Sequence, residues 1–220
     1  MKVKLVSYTQ PSQELQDLGV KDFSDIIVYC ARVSNPANQA NMETGEKLLK
    51  YLVAKSHWSP FEMTNICVEI ETTRDIARQI LRHRSFSFSE LSQRYSKILT
   101  QEPTIRDARL QDTKNRQNSL ENFNEQLTAE WKEFQHEVWA KSYEKYEWAL
   151  SQGIAKEVAR SVLPEGMTES RLYMSGTTRS WLHYLVLRTD VSTQKEHRDV
   201  ALACRDEIAK IFPLINTLLA

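Results

Sequence analysis

The sequence predicts an α+β (mixed α/β) fold in which several long helices flank a small central sheet, mixed or antiparallel. Three observations predict it. Apolar residues recur at steps of three and four through most of the chain, the spacing of a helix with one buried face. VKLVS and NICVEIE instead alternate apolar and polar residues, as half-buried strands do, and RLYMSG reads as a third short strand. No stretch repeats or falls into low complexity, and 220 residues suit one domain, 1–220, with a polar loop or insertion at 100–122.

Taken in order, VKLVS is a strand at the edge of the domain. An apolar run from Asp22 to Val33 leads into ARVSNP, where Pro36 and the asparagines after it make a loop. Leu48, Leu49, Leu52 and Val53 lie at helical spacing within Thr44 to Lys55, and that helix stops before Pro60, which places HWSPFE on a turn. Ile66, Val68 and Ile70 share one face of NICVEIE, after which Thr72 and Asp75 have the spacing of a capping box opening the helix DIARQILRHR. Beyond the polar stretch, Leu127, Trp131, Phe134, Val138, Ser142, Tyr146 and Ala149 form a stripe read as core, on a long helix ending near a glycine C-cap at Gly153. AKEVARSV is a short helix ending at Leu163-Pro164, and TRSWLHYLVLR and STQKEHRDVALACRDEIAKIF give two more.

Composition narrows the function classes. The chain is 41% hydrophobic and 26% charged, which excludes disorder, and 29 basic residues balance 29 acidic ones. Nothing global therefore draws it to nucleic acid or an acidic membrane, and any basic site must be local. MKVKLVSYTQ lacks the apolar run of a signal peptide and no segment approaches the ~18 apolar residues of a membrane span, so a cytoplasmic protein is expected. Cys30, Cys67 and Cys204 are odd in number and outside any CxxC spacing, which argues against a disulfide framework or a thiolate zinc site and reads as small buried apolar residues.

Against that neutral background, residues 82–96 read RHRSFSFSELSQRYS. A helix C-terminus accounts for one cation, worth roughly 0.3 to 1 kcal/mol against the helix dipole, but not for three. Ser87-x-x-Glu90 has the pattern of a second capping box, so arginine forks, hydroxyls and free helix amides converge as they do on phosphate. Downstream, Arg160 lies on the polar side of its short helix, Arg179 and His183 are four residues apart on one face, and Arg188 ends an apolar helix. Ion pairs would explain each arginine alone, but together they fit a polyanionic small molecule. A nucleotide or single-stranded nucleic-acid binder without catalysis, with Phe86, Phe88 or Tyr95 stacking on bases, is the alternative, and the zero net charge argues against it.

Arg82-His83-Arg84, seven residues and then Ser92, continuing as Gln93-Arg94-Tyr95-Ser96, resembles the signature of the flavin-dependent thymidylate synthases, the ThyX family. CARVS, HWSPFE, ARSVLP and TRSWLHYLVLR resemble further blocks of that family in the same order. The resemblance implies reductive methylation of dUMP to dTMP with 5,10-methylenetetrahydrofolate as carbon donor, FAD as methylene and hydride carrier and NADPH as reductant. It implies a homotetramer with active sites between subunits, and no membrane or nucleic-acid partner. By the same resemblance Ser59, Arg82, His83, Arg84, Glu90, Thr177, Thr178, Arg179 and His183 would hold FAD. Gln79, Arg82, Glu90, Leu91, Ser92, Gln93, Arg94, Arg160 and Arg188 would surround dUMP. The chain departs at Thr177 and His183, where many members carry asparagine. With five glycines and no GxGxxG, arginines must bind the cofactor phosphates here.

The chemistry needs a nucleophilic carbon at C5 of uracil. No cysteine sits in the charged setting that would make it a nucleophile. A permanently protonated arginine that stabilises negative charge on the uracil edge serves instead, and Arg188 is the candidate. Ser92 is expected to hydrogen-bond the nucleotide rather than attack it, because a serine nucleophile needs an adjacent base.

Overall fold

The structure, a computed structural model, describes residues 1–98 and 100–218. Strand β1 (Lys2–Tyr8) is followed by a short helix α1 (Gln13–Asp17) and by α2 (Phe23–Ala31), which a reciprocal Asp22/Asp25 capping box opens. A helical turn at Pro36–Asn38 leads to α3 (Gly45–Ala54), and a second at Ser59–Glu62 contains the SPFE segment. Then come β2 (Asn65–Thr73), α4 (Arg74–Ile80) and β3 (Ser87–Glu90). The polar stretch holds a small hairpin, β4 (Leu110–Gln111) with β5 (Ser119–Leu120), and so is not wholly irregular. The 27-residue α5 (Glu125–Ser151) ends with Gly153 at φ +78°, the left-handed cap expected there. Helix α6 (Lys156–Ala159) and a turn at Arg160–Val162 precede β6 (Glu169–Thr177), α7 (Thr178–Arg188), α8 (Lys195–Ala209) and α9 (Ile215–Leu218).

The four-stranded sheet runs β1-β2-β6-β3 with every pairing antiparallel. RLYMSG proves to be the middle of a nine-residue central strand, whose Leu172 and Met174 are fully buried beside Ile66, Val68 and Ile70 of β2. Helices α4, α7 and α8 cover that face through Ile76, Ile80, Trp181, Leu185, Val200 and Cys204. Apolar burial of this kind contributes roughly 25 cal/mol per Å². None of the helices described is long and apolar enough to cross a membrane.

Four expectations are corrected. Ser87-x-x-Glu90 opens no helix. It is the edge strand β3, paired from Ser87↔Ser175 to Glu90↔Leu172, because SFSFSE alternates at period two and the Glu90 carboxylate accepts from Ser170 Oγ (2.7 Å) instead of capping amides. Thr72 and Asp75 form no capping box either: Thr72 is still paired within β2, opposite Ser170, and Asp75 accepts from Thr73 Oγ1 (2.5 Å) and from Arg106. The stripe on α5 is core only in its second half, where Tyr146 and Ala149 join Trp139, Ala159 and Leu163 in a small second cluster. Leu127, Trp131, Phe134 and Val138 are exposed: the insertion packs against this half of the helix at buried Gln135 and leaves those four side chains open. Of the cysteines, only Cys204 is buried; Cys30 and Cys67 are half-buried.

Candidate active site

Helix α4 stops at Ile80, and the chain turns through Arg82-His83-Arg84 into β3. Phe86 anchors that turn. Its buried ring lies 4.9 Å from Trp181 and 5.9 Å from Tyr184, centroid to centroid. The ring sits over Gly176, where an added Cβ would come within 2.4 Å of it, so the glycine is what lets the turn close down on β6. Ser180 Oγ also donates to the Ser85 carbonyl (3.1 Å), tying α7 to the turn. With Phe86 held inward, Arg82 and Arg84 are exposed and His83 is half-buried.

Helix α7 supplies the second wall. Arg188 Nε donates to His83 Nε2 at 3.0 Å. Burial, and after it the Arg188 charge, pushes the His83 imidazole down to about 4, so it is neutral and free to accept that bond. Behind the pair, the Tyr184 ring stands edge-on to His83 at 4.9 Å, and the buried His197 ring lies 6.1 Å from His83. One turn earlier on α7, His183 lies 4.6 Å from Trp58, its pKa lowered by burial and then by Arg179. Arg179 itself pairs with Glu62 of the SPFE turn, which brings exposed Ser59 to the same side as Arg179 and His183. Thr177 is the N-cap of α7, its side chain accepting from Ser180 N (3.3 Å). Thr178 is wholly buried, its hydroxyl 2.7 Å from that of Thr64. Its side chain therefore joins the residue before β2 to the start of α7 and is turned away from the surface.

A second group forms after β3. Leu91 N donates to the Arg171 carbonyl (2.8 Å), which carries the edge pairing one residue further and fixes where Ser92 emerges, exposed. Gln93 is buried and its Nε2 has no partner among the described residues. Arg94 pairs with Glu157 of α6 (2.9 Å), and half-buried Arg160 lies in the next turn. The expected nucleotide residues thus fall into two groups at opposite ends of β3. Gln79, Arg82 and Arg188 are at one end and Glu90 through Arg94 with Arg160 at the other, about 10 Å of extended strand apart.

Charge pairing shows which cations remain available. Among the described residues, Arg74, Arg78, Arg94, Arg106, Arg109, Arg171, Arg179 and Arg205 pair with carboxylates, whereas Arg32, Arg82, Arg84, Arg116, Arg160, Arg188 and Arg198 do not. Of these seven, Arg32 and Arg198 donate to backbone carbonyls and Arg116 lies on the insertion, which leaves Arg82, Arg84, Arg160 and Arg188 around β3 and the end of α7. These four guanidinium groups, with a buried Gln93 amide that has no partner among the described residues, are a donor set suited to phosphates and to the carbonyl edge of a base. A diphosphate-bearing cofactor such as FAD fits it without a glycine-rich loop.

Sequence reasoning passed over His197, Tyr184, Trp58 and Glu62. His197 had a signal: with Val200, Ala201, Cys204 and Ile208 it keeps the helical spacing of the buried face of α8, a polar residue where an apolar one is the rule. Arg106, Arg109, Gln194 and Glu196, which reach Gln79 through side-chain contacts, had none.

Residues 4–214 match the family described as thymidylate synthase complementing protein. The chain is 48% identical to a probable flavin-dependent thymidylate synthase of Paramecium bursaria Chlorella virus 1 and 49% identical to a flavin-dependent thymidylate synthase of Synechocystis sp., in each case over 98% of this chain and 97% of the relative. Its fold is similar to that of PolB, a UMP/dUMP methylase from Streptomyces cacaoi whose structure was solved with 5-Br dUMP, with a TM-score of 0.82 at 26% identity over 99% of this chain and 93% of the other. Unpaired arginines displayed on an RHR turn, in a sheet of this topology, with full-length likeness of this degree, assign the chain to the flavin-dependent thymidylate synthase family.

Proposed function

We propose that this protein, acting as one domain over residues 1–220, converts dUMP to dTMP with 5,10-methylenetetrahydrofolate as carbon donor, FAD as bound cofactor and NADPH as reductant. The observation that carries the reading is the gathering of four arginines without carboxylate partners, Arg82, Arg84, Arg160 and Arg188, on the turns around β3 and at the end of α7. Arg82, His83, Arg84 and Arg179, with Ser59, Glu90, Thr177 and His183, would hold the flavin, Thr178 supporting them from beneath. When bound, FAD supplies hydride and carries the one-carbon unit between folate and nucleotide.

The chain's own residues bind, orient and polarise. Gln79, Arg82, Glu90, Leu91, Ser92, Gln93, Arg94 and Arg160 would surround dUMP, and Arg188 would stabilise the negative charge that develops on the uracil edge as C5 becomes nucleophilic. The neutral His83 ring aims Arg188 by accepting from its Nε, which leaves the two terminal nitrogens of the fork free for the base. The separation of the nucleotide residues into two groups supports a site completed by a second subunit, since one chain offers half of the set at each end of β3. The exposed first half of α5 supports the same homotetramer by leaving Trp131, Phe134 and Val138 to be covered. Free thiols at Cys30, Cys67 and Cys204 suit a reducing compartment, the cytoplasm.

The test is direct. The purified protein is expected to be yellow, or to take up added FAD, and to form dTMP from dUMP when methylenetetrahydrofolate and NADPH are supplied. A folded protein that takes up no flavin, or a flavin-loaded one that yields no dTMP, would overturn the reading.

A further inference from the structure

We propose that the 100–122 insertion sets the orientation of the Gln79 amide in the nucleotide site, acting through Arg106, Arg109, Glu196 and Gln194 as positioning residues. The inference rests on the function proposed above.

Arg106 is the anchor of the insertion. Its Nη2 donates to Asp75 Oδ1 (2.9 Å) and Oδ2 (3.0 Å) and to Thr73 Oγ1 (2.8 Å), while its backbone exchanges bonds with the Gln135 amide of α5 (2.8 and 3.0 Å). Its Nη1 lies 2.8 Å from Glu196 Oε2, and Arg109 Nη1 lies 2.6 Å from Glu196 Oε1. Gln194 Nε2 donates to Glu196 Oε2 (2.9 Å), Gln79 Nε2 donates to Gln194 Oε1 (2.8 Å), and Gln79 Oε1 stands 3.2 Å from His197 Nδ1.

The direction of this chain follows from its acidic end. Burial alone would raise the Glu196 carboxyl, but bonds from Arg109, Gln194 and its own backbone N–H, with the Arg106 charge, hold it down to about 2. Ionised, it can only accept, so Gln194 must turn its NH2 toward it and its oxygen toward Gln79. Gln79 must then offer NH2 to Gln194 and oxygen to His197. His197 is neutral, burial first and then the Arg188 charge holding it at about 3, so it has one ring proton, and Nδ1 must carry it. Reversing either amide sets two donors or two acceptors against each other, at greatest cost at half-buried Gln79 beside the buried His197 ring. Two insertion arginines therefore fix, through one carboxylate and two amides, which way Gln79 points its remaining N–H and lone pair, three residues before Arg82.

The experiment uses the full-length, FAD-loaded protein and reads dUMP affinity, flavin occupancy and melting temperature. Gln194 is exposed and its side chain makes no cap, so Gln194→Ala cuts the chain without threatening the fold. Glu196→Gln removes its polarity. Both are expected to weaken dUMP binding about tenfold with flavin occupancy unchanged, and to have no further effect in a Gln79→Ala background, the non-additivity of groups acting as one chain. Unchanged dUMP affinity in both variants, or a loss of equal size with and without Gln79, would overturn the proposal while leaving the enzyme's function intact. If Glu196→Gln does not fold, Gln194→Ala decides alone. Wild-type protein that binds flavin but no dUMP would remove the functional reading and this inference with it.

Discussion

Arg188 Nε donates to His83 Nε2 across 3.0 Å, so a guanidinium at the end of α7 is aimed by an imidazole from the basic turn after α4. The bond exists only while His83 is neutral. His83 is pushed from 6.5 to about 4 and His197 from 6.5 to about 3, with burial the larger cause in both and the Arg188 charge next. A histidine whose folded pKa is depressed takes up protons more readily when unfolded. Its contribution to stability is thus complete above about pH 6.5 and is lost as pH falls toward 4 and then 3. Thermal melts are expected to show a falling melting temperature over that window. His197→Leu, which removes one such proton site from the buried face of α8, should flatten the fall. A variant with the wild-type slope would contradict the assignment.

Thiol chemistry is not needed for the reaction as proposed. The Cys204 thiol is pushed well up by burial and by Glu207, and those of Cys30 and Cys67 are raised by burial, so no thiolate is favoured near neutral pH. Cys30→Ser, Cys67→Ser and Cys204→Ala combined should keep turnover per bound flavin, with a stability loss of about 1 kcal/mol from the small cavity at Cys204. Loss of turnover with flavin and dUMP still bound would restore a thiol nucleophile.

Ser92 lies beyond the far end of β3 from His83, and among the described residues no hydrogen bond links its side chain to a base. Ser92→Ala is therefore expected to raise the dUMP dissociation constant about tenfold, the size of one lost bond to a charged group, while dTMP still forms at saturating dUMP. Abolished chemistry in a folded, nucleotide-bound variant would point to a serine nucleophile.

The exposed stripe on α5 gives a prediction about assembly. Phe134 is 57% exposed and Trp131 41% in the isolated chain. If a second copy covers them, as in the tetramer proposed above, Phe134→Asp should lower the assembly state in sedimentation experiments and lower activity steeply at low protein concentration, because each proposed site would draw residues from two subunits. A monomeric wild-type protein with full activity would contradict a shared site.

Much of the candidate site is legible because its segments are contiguous. RHR, the residues from Glu90 to Arg94 and the helix carrying Arg179, His183 and Arg188 each occupy one short stretch, and composition alone marks them as unusual in a neutral chain. What stayed hidden depends on tertiary placement. Ser87-x-x-Glu90 satisfies the spacing of a helix cap, and only its pairing with β6 shows that the period-two reading of SFSFS prevails. The apolar spacing of α5 is the same whether the stripe meets this chain's core or another subunit. Glu196 and the insertion arginines are some 90 residues apart in sequence, a pairing that only the packing of α8 against the strap beyond β3 creates.

The central claim is that Arg188 acts on the reacting base by fixed charge, and single-turnover dTMP formation per bound flavin in Arg188→Lys and Arg188→Ala tests it most directly. Lysine keeps the charge and loses the planar fork that His83 aims, so its rate should fall. Alanine should fall further, with a cost of roughly 3 kcal/mol for removing one preorganised charge stabiliser, while flavin occupancy stays near that of the wild type. A wild-type single-turnover rate in flavin-loaded Arg188→Ala, accompanied only by a lower melting temperature, would reduce Arg188 to a structural partner of His83 and contradict the account.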